Sequence, residues 1–233
     1  MNIFGSFTFS RLIETFIPGL VWLATALLVC TNMSQWFPVS SDLFSFVNTH
    51  DASALALVIA ASIILGLISN IVVFMGFYDW LVRKWVRRHQ PDLFFLYDYL
   101  AERVRLHFWN MSGCNDEKKW HIYQMYADPE LLILRKIGVD ELNYIREQYW
   151  YHLQFQINLL LAIAGLILAL AVVPGTPDGL ASGPGKFLEL SILFALCCLL
   201  LAAARKNYGR HIAKMTSFMA AILGNDTAPP PAA

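Results

Sequence analysis

Apolar positions in this chain come in four long unbroken blocks: Leu12 to Thr31, Ala54 to Tyr78, Leu153 to Val173 and Phe187 to Ala204. A bilayer's hydrocarbon core is about 30 Å thick and an α-helix rises about 1.5 Å per residue, so about 20 mostly apolar residues suffice to cross it. The second block carries no charge from Ala52 through Tyr78. Glu14 and Glu189 stand near the ends of the first and fourth blocks, where a carboxylate reaches headgroups or water. Four such blocks in 233 residues leave too little polar sequence to cover them as the core of a soluble protein. The pattern predicts an all-α integral membrane protein with four transmembrane helices. Residues 1–78 form one transmembrane hairpin and residues 153–204 a second.

Between the hairpins, residues 79–152 read as a helical cytoplasmic domain carried on stalks, inserted between spans two and three. Tyr78 to His89 contains no Gly or Pro, so the second span is expected to continue as a stalk until Pro91. Pro91 and Asp92 suit the first turn of a new helix, expected to end near Trp109. Leu93, Leu96, Tyr97, Leu100, Val104 and Phe108 recur along it at helical spacing and predict its packing stripe. A turn follows over Asn110 to Asp116, then a short aromatic helix over Lys118 to Tyr126, and another opened by Asp128-Pro129-Glu130 and closed near Gly138. Asp140 is the expected N-cap of a helix that meets no breaker before Pro174 except Gly165, making it half stalk and half span. Tyr144, Tyr149, Trp150, Tyr151 and His152 form an aromatic girdle at its inner interface.

The remaining segments are simpler. The loop after the first span holds Trp36, Phe37, Pro38, Phe44 and Phe46, which suit the headgroup level. The loop from Pro174 to Gly185 is rich in Gly and Pro. Residues 205–233 read as an amphipathic tail helix, to about Leu223, and a disordered end closing on Ala-Pro-Pro-Pro-Ala-Ala. In the first span, Pro18-Gly19 reads as a plain helix start, with a hinge as the alternative.

Composition agrees with a lipid-facing surface: 57% of residues are hydrophobic and 15% charged, against about a quarter charged in soluble domains. The 17 basic and 17 acidic residues cancel, so no overall basic character points to nucleic acid. Their distribution is informative. Sixteen of the 17 Lys and Arg lie in the central segment, the tail or before the first span, and only Lys186 lies in an outer loop. Basic residues collect on the cytoplasmic side. Both termini and the central domain are therefore expected in the cytoplasm, at the inner (plasma) membrane. Arg83, Lys84, Arg87 and Arg88, beside Trp80 and Trp85, form a cluster at that interface, candidates for anchoring anionic lipid headgroups.

No catalytic constellation emerges. The chain has no Gly-rich phosphate loop, HExxH or GxSxG. His107, Cys114 and His121 match no zinc spacing, and Cys30, Cys197 and Cys198 read as small packing residues. No cofactor and no metal are expected. Asp98 and Glu102 read as a solvated charged face. Ser69 and Asn70 lie in the inner half of the second span, and Gln154, Gln156 and Asn158 at the inner end of the third. At similar depth, they either hydrogen-bond between helices or line a water path at the inner mouth. No span carries a central Lys, Arg, Asp or Glu, which argues against a proton-coupled pump or an intramembrane aspartyl enzyme. Ser62 and Gly66, and Gly165 and Ala169, are small-xxx-small pairs that permit close helix packing within a bundle or an oligomer.

In layout the chain resembles a group of small uncharacterised bacterial four-span proteins. They share a Phe-x-Pro-Gly start to the first span, here Phe16 to Gly19, and a helical cytoplasmic insert between spans two and three. Some resemble accessory or effector components of anti-phage systems. The resemblance implies an architecture and assigns no functional residue. Two functions are expected from the residues: an oligomeric, channel-like effector controlled by its cytoplasmic domain, or a membrane anchor recruiting a cytoplasmic partner protein. A lipid-modifying enzyme is a third. The expected partners are membrane lipids, further copies of the chain and that partner protein.

Overall fold

A computed structural model describes residues 9–32, 51–112, 138–172 and 184–225. Among these, only Gln90 and Gly138 lie outside helical winding, and there is no strand. The aromatic loop after the first span, the turn beyond Ser112, the short helices expected between Lys118 and Gly138, the loop after Val173 and the Pro-rich end all lie outside the described residues.

The helices are α1 (Phe9–Asn32), α2 (Asp51–Val72), α3 (Lys84–His89), α4 (Pro91–Ser112), α5 (Val139–Ile145), α6 (His152–Val172) and α7 (Pro184–Asn225). Three helical stretches are long and apolar enough to cross a membrane: Leu55–Phe77, Leu142–Val172 and Phe187–Gly224. The apolar part of α1, Glu14–Cys30, is shorter.

Several junctions arise directly from the local sequence. α3 ends in Arg87, Arg88 and His89, cations that complement the negative end of the helix dipole. Gln90 precedes a proline and so avoids the helical region; its φ is −132° and its ψ 57°. Its N–H still donates to Val86 O at 2.8 Å, and its own carbonyl accepts from Phe94 N–H at 3.3 Å, starting α4.

Other junctions differ from expectation. α2 does not pass into α3 as plain α-helix. Val73–Phe77 and Asp79–Arg83 are π-wound, as is Arg146–Tyr151 between α5 and α6. The Tyr78 N–H reaches back five residues to Val73 O. Each wider turn rotates the residues beyond it relative to a 3.6-residue repeat. The N-cap of α5 is Gly138 rather than Asp140. Gly138 has φ 115°, a conformation that a Cβ disfavours, and Asp140 falls inside the first turn. Pro18 lies within α1, well past its start, and is fully buried, so it does not begin the helix. The tail is not a separate helix but the second half of the 42-residue α7.

The chain divides into two compact units. The first comprises Met1–Val82 and Tyr151–Ala204; the second comprises Arg83–Trp150 and Arg205–Ala233. In the first, α1 packs on both α2 and α6 around Leu153, Ile157, Ala162 and Ile163. Large apolar side chains remain outside: Ile68 and Ile71 on α2, and Phe187, Ile192, Phe194 and Leu199 on α7, are exposed. A soluble protein buries such a continuous apolar exterior; lipid solvates it.

The second unit has its own core. Ala101 and Val104 of α4, Leu142 and Ile145 of α5, and Met215, Met219 and Ile222 of α7 close on one another. The stripe on α4 is Phe94, Tyr97, Leu100, Ala101 and Val104; it shares Tyr97, Leu100 and Val104 with the line expected from the sequence, whereas Leu96 is 46% exposed. Phe94, Tyr97, Ala101 and Val104 alternate by three and four, as do Tyr208, Ile212, Met215, Met219 and Ile222 on α7. That spacing makes a narrow coiled-coil seam, in which small Ala101 permits close approach.

Candidate functional site

The polar residues predicted inside the spans come together with one that was not predicted. Trp22 of α1 donates its indole N–H to Ser69 Oγ at 3.1 Å. Ser69 Oγ donates to Asn158 Oδ1 of α6 at 3.5 Å, and Asn158 Nδ2 donates to Asn70 Oδ1 at 3.0 Å. Three helices are thus tied by one donor-to-acceptor chain. Ser69 is 8% exposed and Asn158 2%. Gln154 and Gln156 lie half-buried within the preceding turn of α6.

Chemically, the chain is a tie and not a conduit. An indole N–H only donates, and a carboxamide does not relay protons at ordinary pH. What it supplies is orientation: each group fixes the rotation of its helix about the helix axis. Interhelical hydrogen bonds in apolar surroundings contribute about 0.6–1.7 kcal/mol each.

Glycines set the spacing of the same helices. A Cβ on Gly19 would lie 1.7 Å from Ser62 O and 2.9 Å from Gly66 N. A Cβ on Gly66 would lie 1.9 Å from Thr15 O. Backbone therefore meets backbone where α1 crosses α2, and the pair Ser62 and Gly66 supplies the α2 side. On α6, a Cβ on Gly165 would come within 2.6 Å of the Trp22 ring. Ala169, one turn further, is also buried. Glu14, expected near headgroups, is instead buried, at 8% exposed.

The basic cluster lies on α3 and the residue before it. Arg83, Lys84, Arg87 and Arg88 are all exposed, but they face different ways. Arg87 turns toward α4, where it pairs with Asp98 at 2.7 Å and lies 5.9 Å from the Phe94 ring centre. Trp85 is stacked by His89 at 3.8 Å, and the Arg205 guanidinium of α7 lies 4.1 Å over the same ring. Two groups so close to one centroid must occupy opposite faces, so Trp85 is sandwiched. Glu102 pairs with Arg105 at 3.5 Å; with Asp98 already in an ion pair, the two carboxylates serve as separate partners. The girdle on the third stalk divides too. Tyr144 is exposed, Tyr149 packs on the second unit's core, and the Trp150 ring lies 5.3 Å from that of His211.

No protein-family model, curated protein or solved structure matches this chain. Chemistry must be read from its own residues. Among the described residues, no group of three His, Cys, Asp or Glu is placed to hold a metal ion. Cys30 and Cys198 are exposed on the apolar exterior, whereas the Cys197 thiol is half-buried and donates weakly to Leu160 O at 3.9 Å.

Trp22 was the residue sequence reasoning missed. A usable signal existed: it lies about ten residues inside the first apolar block, far from either interface, and a buried indole N–H needs an acceptor.

Proposed function

We propose that this chain is a non-enzymatic multi-pass membrane protein, an oligomeric channel-like effector controlled by its helical domain. In this reading α1 is a fourth span beside the three long apolar helices. The inserted domain and both termini are cytoplasmic at the inner membrane, as the lysine and arginine asymmetry supports. One observation carries the reading. The core made by Ala101, Val104, Leu142, Ile145, Met215, Met219 and Ile222 is built from segments that join apolar helices directly by chain, at residues 82/83, 150/151 and 204/205. A ligand or partner that repacks this core acts on segments continuous with three spans. Ser69 and Asn158 bond within one copy, so a water path belongs between copies, with membrane lipids and further copies of the chain as partners.

Dye release from liposomes tests this. The full chain should release a self-quenching dye, and Val104→Ala with Met219→Ala should change the rate several-fold. No release by either protein, across protein-to-lipid ratios, refutes the effector reading. Orientation is tested by Ser112→Cys and Asp178→Cys, each in a background lacking the four native cysteines. They should be labelled from opposite sides of the membrane; labelling of both from one side refutes the topology.

A second reading is favoured by α4. Phe95, Leu96, Tyr99 and Leu106 are exposed there, with Phe95 at 76%, and Arg103 donates to Tyr99 Oη at 3.0 Å. This face suits a scaffold that recruits a cytoplasmic partner protein. Phe95→Asp with Tyr99→Asp should abolish co-purification of such a partner while leaving membrane insertion intact, and retained partner would count against it.

A further inference from the structure

Within the second unit, two contacts fix the register between α3 and the segment of α7 that begins at Arg205. Arg205 lies over Trp85 at 4.1 Å. A Cβ on Gly209 would come 3.1 Å from Gln90 Oε1. Moving from Trp85 to Gln90 on one segment matches moving from Arg205 to Gly209 on the other, so the two segments run parallel and level. On α3, Val86 is buried, and Lys84 and Arg88 lie one turn apart on the opposite side, both exposed. On α7, Tyr208 and Ile212 are buried, and Lys206 and Arg210 are likewise one turn apart and exposed. By that register Lys206 stands about 3 Å further along than Lys84, and Arg210 about 3 Å further along than Arg88, on the same face of the pair. Each helix thus carries a row of two cations about 6 Å apart along its axis, and the two rows are staggered by about half a turn.

We infer that this two-helix face is a docking surface for the anionic phosphodiester headgroups of membrane lipids. Three features select lipid over a soluble anion. The rows begin within two residues of the points, 82/83 and 204/205, where the chain leaves the apolar unit. Trp85 flanks them with its ring partly exposed, and indoles partition to the headgroup zone. Finally, the surface is open, with cations spread along two helices, and so suits a sheet of headgroups better than one enclosed ligand. The inference redraws the cluster seen in sequence: Arg87 is turned toward Asp98, and Lys206 and Arg210 join from a segment more than 100 positions away. It stands independently of the effector reading.

The test uses the full-length protein in non-ionic detergent, with native mass spectrometry following lipid adducts. Titrants are phosphatidylglycerol, phosphatidylcholine and, separately, inorganic phosphate. Phosphatidylglycerol should bind in preference to phosphatidylcholine. The variant K84Q/R88Q/K206Q/R210Q should weaken it by roughly fivefold per cation, about two orders of magnitude or more in all. The charge-preserving K84R/R88K/K206R/R210K should bind like the parent. R103Q/K118Q/K119Q/K136Q, which removes as many cations from other parts of the sequence, should bind nearly as well. A second readout needs only the parent and Trp85→Phe in nanodiscs: brominated phosphatidylglycerol should quench tryptophan fluorescence more than brominated phosphatidylcholine, and the excess should shrink in the variant. The inference is overturned if the parent shows no headgroup preference, if the first variant binds like the parent, if the control loses as much, or if inorganic phosphate displaces the lipid.

Discussion

Replacing Gly19 with alanine adds one methyl group where α1 and α2 touch backbone to backbone. The new Cβ would lie 1.7 Å from Ser62 O, 2.6 Å from Ser62 C and 2.9 Å from Gly66 N, whereas ordinary contact begins at 3.4 Å. None of these atoms belongs to a side chain that can rotate away. The helices must separate by roughly 1.5 Å, and because helices are stiff the separation spreads along the crossing. Attraction falls steeply with such a gap. Overpacking typically costs about 1–3 kcal/mol, and an obstacle made wholly of backbone belongs at the upper end, so about 3 kcal/mol is expected. Gly165→Ala is the internal comparison. Its obstacle is the Trp22 ring at 2.6 Å, a side chain that can move but is held by its bond to Ser69, so a cost of about 1–2 kcal/mol is expected. Gly76 has nothing within 4 Å of its Cβ position, and Gly76→Ala should change stability by less than about 0.5 kcal/mol. The assay is reversible unfolding in mixed micelles of a non-ionic detergent and sodium dodecyl sulfate, read by tryptophan fluorescence and helical circular dichroism. Gly19→Ala as stable as the parent, or no more damaging than Gly76→Ala, would show that α1 and α2 do not cross at this point.

Asn158→Leu removes two hydrogen bonds, one of them long at 3.5 Å, and should cost about 1–2 kcal/mol in the same assay. Combined with Trp22→Phe, which also disconnects Ser69, the loss should be less than additive; full additivity would separate the two ends of the chain. Gly138→Ala places a Cβ at φ 115° and should destabilise by about 1–2 kcal/mol, measured by thermal melting, with Gly138→Asn milder. Met219→Ala empties a fully buried site in the second unit and should cost about 2–4 kcal/mol, visible as faster amide exchange in α4 and α5.

The approximate extents of the apolar helices and the break at Gln90 were legible in the amino-acid order, because they depend on local properties. Runs of about 20 apolar residues, the proline at 91 and the cations closing α3 act within a turn or two of where they stand. The polar residues of the spans were also findable, since hydrogen-bonding groups are conspicuous in an apolar run. Which way each helix faces is another matter. A helix apolar on every side has no amphipathic stripe, so its rotation about its axis leaves no periodic trace. Only the packed structure decides that Trp22 points at Ser69, that Gly19 meets Ser62, and that Lys206 and Arg210 share a face with Lys84 and Arg88. The π-wound turns compound this, rotating every later residue away from where a constant period puts it. Short-range chemistry, written in the amino-acid order, determined the character of each segment. Tertiary structure decided which side of it meets which neighbour, because that is a property of pairs of helices and not of either one alone.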